Sequence, residues 1–184
     1  MGARAEAPMR ITISGPPGSG KTTACGKLSE ILGIKAVVFG EFFRKLAKER
    51  GMTLAEFGEL AERDPSIDEM VDGMILAEAR KNPDIILESR LSAHMLTKNN
   101  IPAFRVYLEA SPEVRTMRVG LREGESFDEV YRNTIERQSS EAKRYKMYYD
   151  IDIEDKSVYD LIVNTDDLDP DQVVDRVLEG IDEC

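Results

Sequence analysis

The run Gly15-Pro16-Pro17-Gly18-Ser19-Gly20-Lys21-Thr22 sets two glycines around four residues and follows them with Lys-Thr, the spacing of a phosphate-binding P-loop. Glycines let the backbone turn tightly and aim successive N–H groups at one anion, and a helix starting near Lys21 adds the positive end of its dipole. In that geometry Lys21 reaches the β- and γ-phosphates of a nucleoside triphosphate, and the Thr22 hydroxyl binds Mg²⁺. The motif carries this meaning only between a strand and a helix. Met9-Arg10-Ile11-Thr12-Ile13-Ser14 reads as the strand and residues 23–32 as the helix.

What receives the phosphoryl group must be sought among the arginines. Arg115, Arg118 and Arg122 stand at i, i+3 and i+7 with no acid between them, which lays three guanidinium groups along one helix stripe. Such planar forks can stabilise the charge that phosphoryl transfer spreads over oxygen atoms, so with Lys21 they are the catalytic candidates. The alternative is a solvated stripe pairing with nearby glutamates. Arg137, Glu141 and Arg144 stand at i, i+4 and i+7. Either the two arginines hold an acid that can accept from a hydroxyl or an exocyclic amine, or the three form an ordinary surface ion-pair ladder. Arg44 and Arg90 each follow a strand end, as a second phosphate clamp or as structural residues. The one histidine, His94, follows the loop after the third strand; phosphoryl transfer needs no histidine base, so a surface or packing role is expected. Tyr145, Tyr148 and Tyr149 are read as packing residues of one helix.

The elements that must position these side chains alternate. Residues 35–39 form a short apolar run, as buried parallel strands do. Helices follow at 41–50, stopped by Gly51, then after the capping box Thr53-Leu54-Ala55-Glu56, then from Asp64-Pro65 to about residue 81. Three helices between two strands exceed a simple crossover, and the surplus reads as a helical insertion over the site. Strands at 83–88, 103–108 and 161–165, a helix from Ser111-Pro112-Glu113, a break at 120–125, a second capping box at Ser126-Phe127-Asp128-Glu129 opening a helix to about 149, and a terminal helix at 170–181 complete the pattern. Strand and helix alternation predicts an α/β protein with a parallel sheet covered on both faces and a ligand beyond the carboxyl ends of its strands.

The 184 residues fit one domain with a full core. With 25 Lys and Arg against 35 Asp and Glu, the net charge of −10 argues against a nucleic-acid binder. No apolar run approaches the ~20 residues of a bilayer helix. Residues 1–8 lack the apolar core of a signal peptide and read as a frayed extension. Cys25 and Cys184 make neither a disulfide framework nor a metal site, so a reducing, cytoplasmic setting is expected, with Cys25 in the core.

In its motifs the chain resembles the nucleoside monophosphate kinases, and most closely the cytidylate kinases of archaeal type. The likeness rests on residues 15–23, Gly40-Glu41-Phe42-Phe43-Arg44, Asp64-Pro65-Ser66-Ile67-Asp68, Glu88-Ser89-Arg90-Leu91, the Arg115/Arg118/Arg122 stripe, residues 137–145, and Tyr159-Asp160-Leu161-Ile162-Val163. The resemblance implies a three-layer P-loop NTPase fold with a five-stranded parallel sheet, as a single kinase domain over 1–184. Its core would lie at about 9–39 and 82–184, a helical NMP-binding insertion at about 40–81 and a short lid at about 118–126. ATP would be held by Gly15, Pro16, Pro17, Gly18, Ser19, Gly20, Lys21, Thr22 and Thr23, with Arg118 and Arg122 on the lid above it. CMP would be held by Gly40, Arg44, Arg90, Arg137 and Arg144, mainly through its phosphate, with Glu141 facing the nucleoside. The implied activity is Mg-ATP-dependent phosphorylation of CMP and dCMP to CDP and dCDP, with ADP, by a monomer in the cytoplasm that engages neither nucleic acid nor membrane. Ser89 replaces a usual glycine, Gln138 a usual acid, and Leu91 an aspartate of bacterial relatives. Alternatives are an adenylate or small-metabolite kinase of the same fold, or a non-enzymatic P-loop switch, although no Asn-Lys-x-Asp base reader is present.

Overall fold

The structure, a computed structural model, describes residues 9–123 and 126–183, the side chains of Arg122 and Glu123 excepted. The expected N-terminal extension and part of the expected lid lie outside the described residues. Five strands, β1 (Arg10–Ser14), β2 (Lys35–Val38), β3 (Ile85–Glu88), β4 (Phe104–Glu109) and β5 (Leu161–Asn164), form one sheet in the order β2-β3-β1-β4-β5. Every pairing is parallel. The helices are α1 (Lys21–Leu32), α2 (Phe39–Glu49), α3 (Leu54–Ala61), α4 (Pro65–Lys81), α5 (Ser92–Lys98), α6 (Pro112–Glu123), α7 (Phe127–Tyr149) and α8 (Pro170–Asp182).

Side chains on a strand alternate between faces, and in β3 both faces are apolar. Ile86 joins Ile11, Ile13, Val106, Leu108 and the α1 and α8 residues Leu28 and Val177 in one core cluster. Ile85 and Leu87 pack the opposite way, against Val71, Ile75 and Ala79 of α4 and Leu96 of α5. This burial on both sides is why the central strands read as continuous apolar runs rather than as alternation. The chain runs from β1 to β2 on one side and later crosses from β3 to β4 on the other, so the strand order reverses at β1 and a crevice opens at its carboxyl end where the P-loop begins.

The three helices between β2 and β3 are present. Thr53 opens α3 with a full capping box to Glu56, and Asp64 caps α4, accepting from Ser66 N at 3.1 Å, with Pro65 in its first turn. Four local details depart from the expectations or add to them. Residues 92–98, to which the sequence assigned no element, form α5, so His94 is helical and 7 % exposed, with its ring edge-on to Tyr159. Its packing role stands. The helix expected to break at Gly120 continues to Glu123, since a lone helical glycine costs only about 1 kcal/mol against alanine. Ser126 makes no capping box: its hydroxyl donates to the Glu129 carboxylate at 2.7 Å instead of accepting a backbone N–H. A capping box does form where none was expected, between Asp169 and Gln172 at the start of α8. Among the described residues no helix is long and apolar enough to cross a membrane.

The first loop glycine ties the fold to the site. Gly15 has φ of +144°, and a Cβ there would stand 2.0 Å from the Leu108 carbonyl oxygen of β4. Gly15→Ala is expected to destabilise the protein by about 3 kcal/mol or more, measured by denaturant unfolding; an unchanged midpoint would refute this close approach of loop and sheet.

Candidate functional site

The P-loop leaves β1 at Gly15 and enters α1 at Lys21, with Gly20 in a left-handed conformation as the N-cap. Its turn is closed internally, with Ser19 N and Ser19 Oγ donating to the Pro16 carbonyl at 3.3 and 2.9 Å. The loop is also clamped from outside. Arg115 of α6 is 4 % exposed and donates to the Ala110 carbonyl at 3.1 Å and, through one Nη1, to the Pro17 carbonyl and Gln138 Oε1, each at 3.3 Å. Gly18, with φ of +81°, lies so close to Arg115 that a Cβ would meet its carbonyl oxygen at 2.7 Å.

Two cavities flank this loop. The first, about 360 Å³, is lined by residues 18–24, Arg118 and the β5–α8 connection. Arg118 is fixed at its rim by Thr165, donating to Oγ1 at 2.9 Å and to the carbonyl at 2.6 Å. The second is lined by Pro17, Gly18, Lys21, Thr22, Gly40 and Arg44 on one side and by Asp68, Asp72, Glu88, Arg90, Arg137, Glu141 and Arg144 on the other. A larger cavity of about 630 Å³ between α3 and α7 shares Phe43, Arg137, Glu141 and Arg144 with it. Lys21 Nζ donates to the Pro16 carbonyl at 2.8 Å. Burial pushes its ammonium down to about 7, against the opposing pull of the Glu88 carboxylate.

The guanidinium groups of the second cavity are held by buried acids. Glu141, 5 % exposed, accepts from Arg90 Nε at 2.5 Å and from Arg137 Nε at 2.9 Å. Burial opposes the Glu141 charge, but the two arginines prevail and hold its carboxyl at about 2. Arg144, 2 % exposed, makes a fork on Asp68, Nε to Oδ2 at 2.7 Å and Nη2 to Oδ1 at 3.4 Å, and gives Nη1 to Ser140 Oγ at 2.8 Å. Its guanidinium also lies over the Phe43 and Tyr145 rings, 5.5 and 5.7 Å from their centroids.

The spacing along α7 had placed Glu141 between Arg137 and Arg144. The second arm is instead Arg90, from the end of β3, because Asp68 of α4 takes Arg144. Gly40, Arg44, Arg90, Arg137, Glu141 and Arg144 come together in one cavity, and residues 18–23 line the other with Arg118. Arg115 lies behind the loop, engaged with Ala110, Pro17 and Gln138. The Arg122 side chain falls outside the described residues. Two acids had escaped notice. Glu88, 5 % exposed, accepts from Thr22 Oγ1 at 2.9 Å; its place at the end of an apolar strand beside the loop was the available signal. Asp68, inside the sequence signature at 64–68, had none, since its partner lies on another helix. Leu91 is fully buried beside Tyr145 and offers no polar group.

A five-stranded parallel sheet with a P-loop after its first strand, and a cluster of arginines held by buried acids across that loop, define the P-loop kinase fold. Solved structures agree on the fold: a protein of Eubacterium ventriosum aligns over 96 % of this chain with a TM-score of 0.70 at 19 % identity, and a shikimate kinase of Bacteroides thetaiotaomicron over 95 % with a TM-score of 0.61 at 19 % identity. The sequence goes further. The model of the cytidylate kinase-like family matches residues 10–167, and the chain belongs to this family. Proteins named cytidylate kinase from Methanococcoides burtonii and Archaeoglobus fulgidus are 45 % and 39 % identical, each over 95 % of this chain and over 97 % and 95 % of their own lengths. One from Methanosphaerula palustris is 48 % identical over 86 % of this chain and 89 % of its own.

The Glu141 ion triad carries a pH signature. Its carboxyl is held at about 2 against 4.5 for a free glutamate, so its stabilising effect is complete above the unfolded value and is lost as pH falls towards the folded one. Glu141→Gln is expected to cost about 3 kcal/mol at neutral pH, with the gap to the native protein narrowing below about pH 4. Denaturant unfolding across pH measures this; a gap independent of pH would remove the ion pairs as its cause.

Proposed function

We propose that the protein is an ATP:CMP phosphotransferase that also accepts dCMP, giving CDP or dCDP and ADP. One observation carries the reading: Gly18, Lys21 and Thr22 line both cavities. A triphosphate on the P-loop and a monophosphate among the arginines would meet across this wall, the in-line arrangement that phosphoryl transfer requires. The family membership and the curated relatives support CMP as the acceptor.

On this reading the loop N–H groups, the α1 N-terminus and Lys21 hold the ATP phosphates, with Arg118 and Arg122 above them, and Arg115 acts through the loop by fixing Pro17. Arg44, Arg90, Arg137 and Arg144 hold the CMP phosphate, and Glu141 keeps two of them in position. Gly40 lines the same cavity beside Arg44, where a Cβ would stand at ordinary contact distance from its guanidinium. Hard oxygen donors suit Mg²⁺, and Thr22 Oγ1 beside the Glu88 carboxylate supplies them at the lip of the loop. Bound there with ATP, the metal would neutralise charge on the β- and γ-phosphates. Residues 40–81 are the segment we take to close over CMP, and 118–126 the segment over ATP, excluding water. We place the activity in the cytoplasm, in a monomer that takes no nucleic acid, in keeping with the net charge of −10.

A coupled assay of ADP release over CMP, dCMP, UMP, AMP and shikimate tests the assignment. CMP is expected to exceed AMP and shikimate in kcat/KM by at least about tenfold, and a preference for AMP or shikimate would overturn it. Lys21 supplies a second test. A polyphosphate should restore the ammonium that burial holds down at about 7, so ATP binding near pH 8 is expected to take up close to one proton. Calorimetry in buffers of different ionisation enthalpy reads this uptake; its persistence in Lys21→Met would assign it elsewhere.

A further inference from the structure

Asp72 stands one helical turn beyond Asp68 on α4 and faces the same cavity, with Val71, Arg90, Arg144 and Tyr145. The two acids are treated differently by the fold. Asp68 spends both oxygens on the Arg144 fork. Asp72 is only 4 % exposed, yet its Oδ2 has no hydrogen-bond partner among the described residues. The Tyr149 hydroxyl stands near enough to interact with the Asp72 carboxyl, but neither group reaches a partner of good hydrogen-bond geometry, so Oδ2 is left under-satisfied. Burial drives the Asp72 carboxyl up to about 7, against the opposing effect of the Tyr149 hydroxyl, so the group is a carboxylate above that pH. An orphaned buried acceptor costs about 1–3 kcal/mol, and one that lines a ligand cavity has a natural donor in the ligand.

The CMP reading supplies that donor. A cytosine edge carries an amine at position 4, which donates to a carboxylate, whereas uracil carries a carbonyl there, which faces a carboxylate oxygen lone pair to lone pair. We infer that Asp72 Oδ2 accepts from the 4-amino group of the bound pyrimidine and thereby sets cytosine against uracil. The inference rests on the CMP assignment and deepens it. It also accounts for the recognition of the base without the aspartate that bacterial relatives carry at the position of Leu91.

An amide at this position has both a donor and an acceptor, and by turning over it satisfies either base. Assayed near pH 8, where the Asp72 carboxyl is ionised, Asp72→Asn is therefore expected to lower the ratio of kcat/KM for CMP over UMP by at least about tenfold. A purely structural Asp72 would leave the ratio unchanged, and that result would overturn the inference. The ligand can be altered instead of the chain: the monophosphate of pyrimidin-2-one riboside, which lacks the 4-amino group, should bind the native protein at least about tenfold more weakly than CMP. Equal binding overturns the inference whether or not the variant folds. If the native protein does not phosphorylate CMP, the reading beneath it falls and this inference falls with it.

Discussion

Positive charge packed around one cavity, in a chain of net charge −10, has to be held in place by something, and two buried carboxylates do it. Glu141 joins Arg90 to Arg137 and Asp68 holds Arg144. Each pair spans elements that are otherwise separate: Glu141 links α7 to the end of β3, and Asp68 links α4 to α7. The geometry of the cavity therefore depends on these ion pairs, and removing one member leaves an uncompensated charge in a poorly solvated place. The pairs are weak arguments for stability as such. Their work is to aim guanidinium groups that would otherwise repel one another.

The P-loop side is built differently, from backbone rather than side-chain charge. Left-handed glycines turn the chain, the Pro16 carbonyl collects the Ser19 and Lys21 donors, and Arg115 fixes Pro17 from behind. Thr165 at the end of β5 accepts from Arg118 and donates to the Ser19 carbonyl at 3.2 Å. The loop is thus braced by β4, α6 and the β5–α8 connection together, the kind of preorganisation that on the proposed reading would serve a polyanion. Lys21 stands apart from the rest of the loop in that burial suppresses its ammonium.

Much of this was legible in the chain. The P-loop, the five strands, the three helices between β2 and β3 and the Thr53 capping box follow from patterns spanning fewer than about ten residues each, which is the range over which backbone geometry and hydrophobic periodicity act. The misses were local too. The α5 segment, Ser92–Lys98, is too short to show a period, and Ser126 found a side chain to bond instead of the backbone. The residues expected to hold CMP do line one cavity, but with partners other than those their spacing suggested.

The reason is separation. Arg90 meets Glu141 across 51 residues and Asp68 meets Arg144 across 76, and no spacing along one helix encodes either. Sequence alone determined that a P-loop would follow β1, that arginines would be available near strand ends, and that a parallel sheet would bring both to one edge. Tertiary structure decided which acid takes which arginine, placed Glu88 on Thr22, and left Asp72 buried with an oxygen to spare. Helix spacing fixes which face a side chain occupies. Which charge stands opposite that face is set by the packing of α4, α7 and β3, where the cost of burying an unpaired ion selects the partner.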